Sequence, residues 1–136
     1  MTDVQRPQPV VTDINRTFWD SIGQGELRLQ RCISCGLLRY PIASICPNCL
    51  GRAAEWELLS GRGTVYSTVV FHQVYNQAFA DEVPYNVAIV ELEEGPRLMT
   101  NVIGVEPSTV RVGQPVRVVF TAVVDNATIP QFAPAP

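Results

Sequence analysis

Apolar residues near the start of the chain recur at helical spacing. Ile14, Phe18 and Ile22 lie four residues apart, so a helix places them on one face, and Trp19 widens that face. The pattern predicts a helix over residues 12–24. Such an apolar stripe either covers the protein's own core or docks against a partner, and the spacing fits both.

The residues that flank this predicted helix supply its start and stop signals. Thr12 or Asp13 can act as the N-cap, because a side-chain oxygen accepts a hydrogen bond from an unpaired backbone N–H. Gly23 and Gly25 favour its termination. Residues 1–10 carry two prolines and no periodic pattern, so we expect a lead-in segment there.

Later in the chain, alternating and β-branched runs replace the helical spacing and predict antiparallel strands. The predicted strands cover residues 27–31, 38–41, 63–72, 85–92, 98–102 and 116–124, with additional edge pairing at 58–59. The tail, residues 129–136, cannot be a central strand, because its prolines lack the backbone N–H. Short antiparallel strands need their edges protected, and closure into a small oligonucleotide/oligosaccharide-binding (OB) barrel is the economical solution.

The four cysteines carry the strongest chemical signal in the chain. Cys32 and Cys35 form one C-x-x-C pair, and Cys46 and Cys49 form a second pair ten residues further on. Each pair folds back so that both sulfurs face one centre, and two such knuckles offer four thiolates to a soft metal ion. Gly36 favours the tight turn after the first pair. Two disulfides, a redox pair or four free thiols are the alternatives, and a redox pair leaves the second knuckle unexplained.

Zinc is the favoured metal, one ion per chain. Four thiolates close a tetrahedral coordination shell, which is typical of structural zinc, whereas catalytic zinc keeps an open position for water. Iron is the alternative, because the knuckles also resemble those of rubredoxin. The short loop between the pairs and the lack of a second redox group favour zinc.

The fold class is therefore mainly β: an N-terminal helix, a rubredoxin-like zinc ribbon and a small antiparallel OB-fold barrel. We predict an N-terminal arm and helix over residues 1–25, a zinc ribbon over 26–55, and a barrel with a proline-rich tail over 56–136. A ribbon of this size cannot build a sufficient core by itself, so the metal substitutes for one.

Composition narrows the class of partner. All ten basic residues are arginine, and thirteen acids give a formal charge of −3 and a pI near 5.0. This balance argues against non-specific nucleic-acid binding, which needs a basic stripe. No apolar run resembles a signal peptide or a membrane span, and paired thiols fit a reducing compartment. We expect a cytoplasmic protein.

The sequence offers little catalytic machinery. His72 is the only histidine, in a predicted strand, and a general base needs an oriented partner and a nearby nucleophile. The acidic clusters at residues 81–82 and 91–94 fit solvated turns. No phosphate-binding glycine loop or nucleophile elbow occurs. We therefore expect no independent enzyme activity.

Taken together, these motifs resemble the DUF35 family, in which a rubredoxin-like zinc ribbon precedes an OB-fold. The resemblance extends over nearly the whole chain, and the order of its motifs is specific. Leu50 departs from it, because the family commonly has glycine there, and this could shift the second turn by one residue. The motifs are Phe18–Trp19, Gly25–Leu27, Cys32–Gly36, Tyr40–Pro41, Cys46–Cys49, Trp56, Ser60–Ser67, Pro84–Tyr85, Val90–Gly95, Val112–Val116 and Pro130–Phe132.

The resemblance implies an accessory role beside a thiolase-like enzyme that acts on acyl-CoA thioesters. Partners in the family include acetoacetyl-CoA thiolases and lipid-transfer-protein-type aldolases that cleave steroid side-chain CoA thioesters. Some members are fused to a MaoC-type hydratase, which this sequence lacks, so it is a stand-alone subunit or an excised domain. We expect a hetero-oligomer with acyl-CoA at or near the interface.

Candidate contact residues follow from residue type. Aromatic side chains that are hard to bury in a small barrel commonly anchor interfaces, and these are Phe18, Trp19, Tyr85 and Phe132. Two other functions remain open. In a single-stranded nucleic-acid-binding OB-fold, aromatic rings would stack on bases, although the charge disfavours it. In a free-standing acyl-CoA-binding protein, arginines would meet CoA phosphates, and the candidates are Arg31, Arg39 and Arg52.

Overall fold

A computed structural model describes residues 7–123 and 127–136 of the chain. It contains one α-helix, eight strands and two short 3-10 turns within those residues. The elements in chain order are α1 (Arg16–Gly23), β1 (Arg28–Cys32), β2 (Leu38–Arg39), β3 (Ala54–Leu58), β4 (Arg62–Phe71), a 3-10 turn (Gln77–Phe79), β5 (Tyr85–Leu92), β6 (Arg97–Thr100), a 3-10 turn (Pro107–Thr109), β7 (Pro115–Ala122) and β8 (Thr128–Pro134).

The helix is shorter than the apolar spacing predicts. The Thr12 backbone N–H donates to Asn15 Oδ1 at 2.7 Å, and the Asn15 N–H donates to Thr12 Oγ1 at 3.3 Å, so this segment forms a turn before the helix. Asn15 takes the N-cap position without a side-chain cap bond, and the predicted caps at Thr12 and Asp13 are wrong. Ile14 lies outside the helix and is 47% exposed.

Three strands form the ribbon sheet, in the order β2–β1–β3, with both pairs antiparallel. The central strand β1 is buried on one face through Leu29, next to Leu27 at its start. These residues join Phe18 and Ile22 of α1 and the apolar interior of the barrel in one hydrophobic cluster. The ribbon therefore shares a core with the rest of the chain.

Five strands form the second sheet, in the order β6–β5–β4–β7–β8, which curls into a half-barrel of the OB type. Residues along β5 alternate between partly exposed and buried positions, as expected of a strand with one face toward the core. A parallel bridge between Val102 and Phe132 brings the residues after β6 against β8. This confirms the predicted fold class of helix, ribbon and small antiparallel barrel.

The proline-rich tail is an edge strand. β8 pairs with β7 from Val116 opposite Pro134 to Ala122 opposite Thr128, and no further strand of the described residues lies beyond it in the sheet order. An edge position suits prolines, since only one side of the strand needs donors. Two other predicted strand ends can be compared with the structure. The strand predicted over residues 98–102 ends at Thr100, and the predicted end of the 116–124 strand, Val124, lies outside the described residues.

Candidate metal centre

The two cysteine knuckles are built on the same hydrogen bonds. In the first, the Gly36 N–H donates to Cys32 O at 2.9 Å, and the Cys32 N–H donates to Leu37 O at 2.8 Å. In the second, the Leu50 N–H donates to Cys46 O at 2.9 Å, and the Cys46 N–H donates to Gly51 O at 2.8 Å. Each turn thereby directs its two sulfurs toward the other knuckle.

Leu50 occupies the position that glycine holds in the first knuckle. Gly36 has φ of 80°, and Leu50 has φ of 63°, which is the left-handed region that most side chains avoid. The one-residue shift that the sequence suggested for the second turn therefore does not occur. Leu50 takes the turn conformation itself, with its side chain 74% exposed.

The four sulfurs converge as the paired spacing predicts. Their Sγ atoms all lie within 4.8 Å of one another, with Cys32 to Cys49 at 3.5 Å and Cys35 to Cys46 at 3.6 Å. A tetrahedral Zn–S distance of about 2.3 Å puts thiolates roughly 3.8 Å apart, so the set fits one metal ion. Cys32 and Cys46 are buried, Cys35 and Cys49 are exposed, and all four are free thiols rather than disulfides.

Local hydrogen bonds give these thiols different pKa values. The Asn48 side chain and the Leu37 backbone N–H lower the pKa of Cys35 to about 6. The Gly51 N–H lowers the pKa of Cys49, yet the hydrogen bond with the Cys32 sulfur and partial desolvation raise that pKa to about 12. Four sulfurs this close cannot all carry charge without a cation among them. A divalent metal resolves that repulsion by replacing the protons.

Arg31 supports the first knuckle from β1. Its Nη1 donates to Gly36 O at 2.7 Å, and its Nε and Nη2 donate to the two carboxylate oxygens of Glu57 at 2.9 and 2.6 Å. This fork joins the knuckle turn to β3. The hydrogen bond to Glu57 raises the pKa of Arg31 and lowers that of Glu57.

Arg39 supports the loop that leads into the second knuckle. It is 4% exposed, and its Nε donates to Gln30 Oε1 at 3.2 Å while its Nη2 donates to Ala43 O at 2.9 Å. The Ala43 N–H donates to the same Gln30 oxygen at 2.9 Å. Both Arg31 and Arg39 are thus engaged within the ribbon, and of the three CoA candidates Arg52 alone is exposed.

The aromatic contact candidates separate by burial. Phe18 and Phe132 are 3% and 0% exposed and belong to the hydrophobic cluster, so in this fold neither presents a surface to a partner. Trp19 packs edge-on against Phe18, with ring centroids 5.0 Å apart, and remains partly exposed. Tyr85 is also partly exposed and packs against Phe71 at 5.4 Å.

The titratable side chains that the sequence singled out are dispersed. His72 is exposed and lies one residue beyond β4, so it is not a strand residue. Glu91 pairs with Arg97 at 2.9 Å, and Glu93 pairs with Arg62 at 2.7 Å. Both carboxylates form surface ion pairs, Glu93 in the turn after β5 and Glu91 within β5 itself.

One feature that sequence reasoning missed is a cleft at an end of the barrel. It has a volume of about 420 Å³, and the start of β5, the segment after β6 and β8 form its walls. The walls bring Tyr85, Asn101 and Gln131 together from three distant parts of the chain. The sequence analysis named Tyr85 as a contact candidate, whereas nothing in the sequence pointed to the segment after β6.

Comparison with known protein families agrees with this architecture. Residues 19–55 match the "ChsH2, rubredoxin-like zinc ribbon domain", and residues 56–121 match the "ChsH2, C-terminal OB-fold domain". The chain belongs to the ChsH2 family of DUF35 proteins. The ChsH2 ribbon match spans all four cysteines, so the knuckle geometry described above is that of a known metal-binding domain type.

Several DUF35 relatives are similar over most of this chain. A DUF35 domain-containing scaffold protein of Methanothermobacter thermautotrophicus is 36% identical, covering 84% of this chain and 86% of its own length. A probable enoyl-CoA hydratase alpha subunit of Thermomonospora curvata is 38% identical over 96% of this chain, which spans only 40% of that relative. A chain in the solved Ltp2-ChsH2(DUF35) aldolase is 36% identical, with a TM-score of 0.86, covering 95% of this chain and 100% of that one.

None of the helices in the part of the chain that the structure describes has the length and apolar character to cross a membrane.

Proposed function

We propose that this chain is a non-catalytic accessory subunit of a thiolase-fold acyl-CoA enzyme. The favoured partner is a lipid-transfer-protein-type aldolase that cleaves steroid side-chain CoA thioesters, and a thiolase is the second choice. The observation that carries the proposal is the 0.86 TM-score over the full length of a chain in the Ltp2-ChsH2(DUF35) aldolase. The similarity to a DUF35 domain-containing scaffold protein and to a probable enoyl-CoA hydratase alpha subunit supports the proposal.

The chemistry of the chain is consistent with a supporting role. Its one motif-encoded centre has four thiolates, which favours zinc held for structure, at Cys32, Cys35, Cys46 and Cys49. His72 is exposed outside the strands, where no rigid element orients it as a base. The partner would therefore carry the reaction, while this chain stabilises it and helps to complete its acyl-CoA site.

A reconstitution experiment tests the proposal. The full chain and a candidate thiolase-fold aldolase are purified alone and together, and retro-aldol cleavage of a steroid side-chain CoA thioester is followed. We expect a stable hetero-oligomer, no turnover by this chain alone, and higher turnover or longer enzyme lifetime when both are present. Turnover by the isolated chain that disappears in His72→Ala would contradict the proposal.

The remaining functions are separated by binding measurements on the isolated chain. Salt-dependent binding of a single-stranded oligonucleotide would favour the nucleic-acid function, because phosphate contacts release counterions. Tight binding of an acyl-CoA thioester without any partner would favour a free-standing carrier. Under the accessory-subunit proposal, both interactions are weak in the absence of the enzyme.

A further inference from the structure

The cleft at the end of the barrel has one aromatic wall that continues onto the surface. Phe79 and Tyr85 line the cleft, with ring centroids 6.2 Å apart. Tyr85 packs against Phe71 at 5.4 Å, and Phe71 packs against Tyr75 at 5.6 Å. Tyr75 is 73% exposed. These four residues, the aromatic shelf, extend from inside the cleft to open solvent.

A second part of the cleft lining is held by side-chain amides. The Asn86 side chain is 3% exposed and bonds to both the N–H and the carbonyl of Val102. Asn101 Nδ2 donates to Asn86 O at 2.6 Å, and Gln131 Nε2 donates to Asn101 Oδ1 at 3.0 Å. This network ties β5 and β8 to the segment after β6, so this part of the cleft lining is held in place by side-chain hydrogen bonds.

The charged residues in the cleft lining and next to it in the chain are acidic. Glu82 lines the cleft, and the exposed Asp81 and Glu106 are chain neighbours of lining residues. The lining residues and their chain neighbours all lie within the described residues, and none of them is an arginine. The sequence has no lysine. The phosphates of CoA carry the same sign of charge, and the cleft therefore disfavours them.

Aromatic faces and carboxylates share a preference for cations. A guanidinium or ammonium group over a tyrosine or phenylalanine face is attracted by the ring quadrupole. Asp81 and Glu106, here called the rim carboxylates because each is next to a lining residue in the chain, add charge complementarity, which mainly governs which partner is accepted. The shape adds a further restriction, because a cleft that runs onto an exposed shelf suits an extended chain better than a compact small molecule.

We infer that the cleft and the aromatic shelf bind an extended, arginine- or lysine-bearing peptide segment of the acyl-CoA enzyme partner. This inference rests on the proposed function for the identity of the partner. Apolar parts of the segment lie against the shelf, and its cationic side chains reach the rim at Asp81 and Glu106. The acyl-CoA itself would then lie elsewhere along the interface.

The test uses the full chain, isotopically labelled, and two matched five-residue peptides followed by NMR titration. One peptide carries arginine at its second and fourth positions around a central leucine, and the other carries glutamate at those positions. We expect the arginine peptide to shift the amide resonances of Tyr85, Asn101 and Gln131. Coenzyme A and the glutamate peptide are expected to leave them unchanged.

Charge variants show whether the rim residues are responsible. The double variant Asp81→Asn with Glu106→Gln should bind the arginine peptide about fivefold more weakly, since it removes two exposed ion pairs. The control, Asp13→Asn with Glu55→Gln, makes the same change in net charge at exposed positions outside the cleft lining. The affinity of this control variant for the arginine peptide should equal that of the parent chain.

An equal loss in both double variants would mean diffuse attraction and would overturn the inference. Coenzyme A binding in the cleft in place of the peptide would do the same. Either result leaves the proposed function intact if the chain still assembles with the enzyme. The reconstitution experiment tests separately whether this chain assembles with the enzyme, and a failure to assemble would contradict the proposed function itself.

Discussion

Arg31 and Glu57 meet across β1 and β3 with two parallel hydrogen bonds of 2.9 and 2.6 Å. Both side chains are 38% exposed, so solvent screens the pair and its direct contribution to stability is small. Its importance lies in geometry, because the same guanidinium also holds Gly36 O in the first knuckle. We therefore assign this arginine to support of the metal centre rather than to CoA binding.

The first prediction concerns this pair. Glu57→Gln should lower the free energy of unfolding by at most about 1 kcal/mol, because the pair is partly exposed. The hydrogen bond from Arg31 lowers the pKa of Glu57, so its contribution is complete above the unfolded value near 4.3 and disappears as pH falls through the folded value. Urea unfolding at pH 7 and pH 3 should show the difference between parent and variant shrinking in acid. A difference that grows in acid would contradict this assignment.

The second prediction concerns the metal. Elemental analysis of reduced protein should give one zinc per chain, and Cys46→Ser should lose the ion, because a buried ligand is removed from a closed shell. Structural zinc in small peptides supplies apparent binding energy on the order of 10–16 kcal/mol coupled to folding. The ribbon of the variant should therefore unfold, as read from amide hydrogen exchange of β1 and β3.

Ser44→Ala is the control for that measurement, since Ser44 is exposed in the loop before the second knuckle and lies outside the set of four thiols. It should keep both the metal and the protected amides. Iron in place of zinc, or a Cys46→Ser variant that melts like the parent, would refute structural zinc.

The third prediction concerns backbone strain at Leu50. Leu50→Gly removes the strain of a leucine in the left-handed region. This strain outweighs the conformational entropy that glycine adds to the unfolded chain, so the free energy of unfolding should rise by up to about 1 kcal/mol. Leu50→Val should lower stability, because a β-branched residue tolerates positive φ poorly. Thermal melting of the metal-bound proteins gives the comparison. If the glycine variant is less stable than the parent, the exposed leucine must contribute packing in solution.

The fourth prediction concerns Asn86, which lines the cleft. Asn86→Asp places a carboxylate oxygen against the Val102 carbonyl where an amide N–H now donates, at a nearly fully buried position. A buried unpaired charge of this kind should cost about 2–3 kcal/mol at pH 7. The new carboxyl should have a raised pKa, so part of the loss should be recovered in mild acid, when its O–H can donate.

Asn76→Asp is the matched control. Asn76 is exposed, and its side chain only accepts a hydrogen bond from the Ala78 N–H, which a carboxylate does equally well. Its melting temperature should stay near that of the parent at all pH values. Equal stability of the two variants would mean that the Asn86 network does not hold the barrel end.

Where the local signal was strong, the sequence was sufficient. The strand Tyr85–Leu92 was predicted with the bounds that the structure gives, because an apolar run rich in β-branched residues occupies it. The four sulfurs came together as predicted, because C-x-x-C spacing is a local geometric constraint. Local signals misled at the helix start, where the polar pair Thr12 and Asn15 forms a turn of its own instead of extending the helix.

Long-range pairing could not be read from the sequence. Glu57 follows Arg31 by 26 residues, and nothing local marks the two as partners rather than free surface charges. The tail was correctly excluded from the sheet centre, yet its prolines hid the edge pairing that buries Phe132. Whether an aromatic residue packs inward or faces a partner depends on such pairings, and they emerge only in the fold.

The last prediction separates these two kinds of aromatic residue. Phe132→Ala removes a fully buried ring and should lower the free energy of unfolding of the isolated chain by about 3–5 kcal/mol. Tyr85→Ala removes a partly exposed ring that lines the cleft, so its stability loss should be clearly smaller. Its affinity for the enzyme partner should fall by roughly thirtyfold, the effect of about 2 kcal/mol that truncating a central anchor produces. Urea unfolding of each isolated variant gives its stability, and binding to the purified enzyme gives its affinity. If a folded Tyr85→Ala variant keeps the affinity of the parent chain, Tyr85 is excluded from the docking surface.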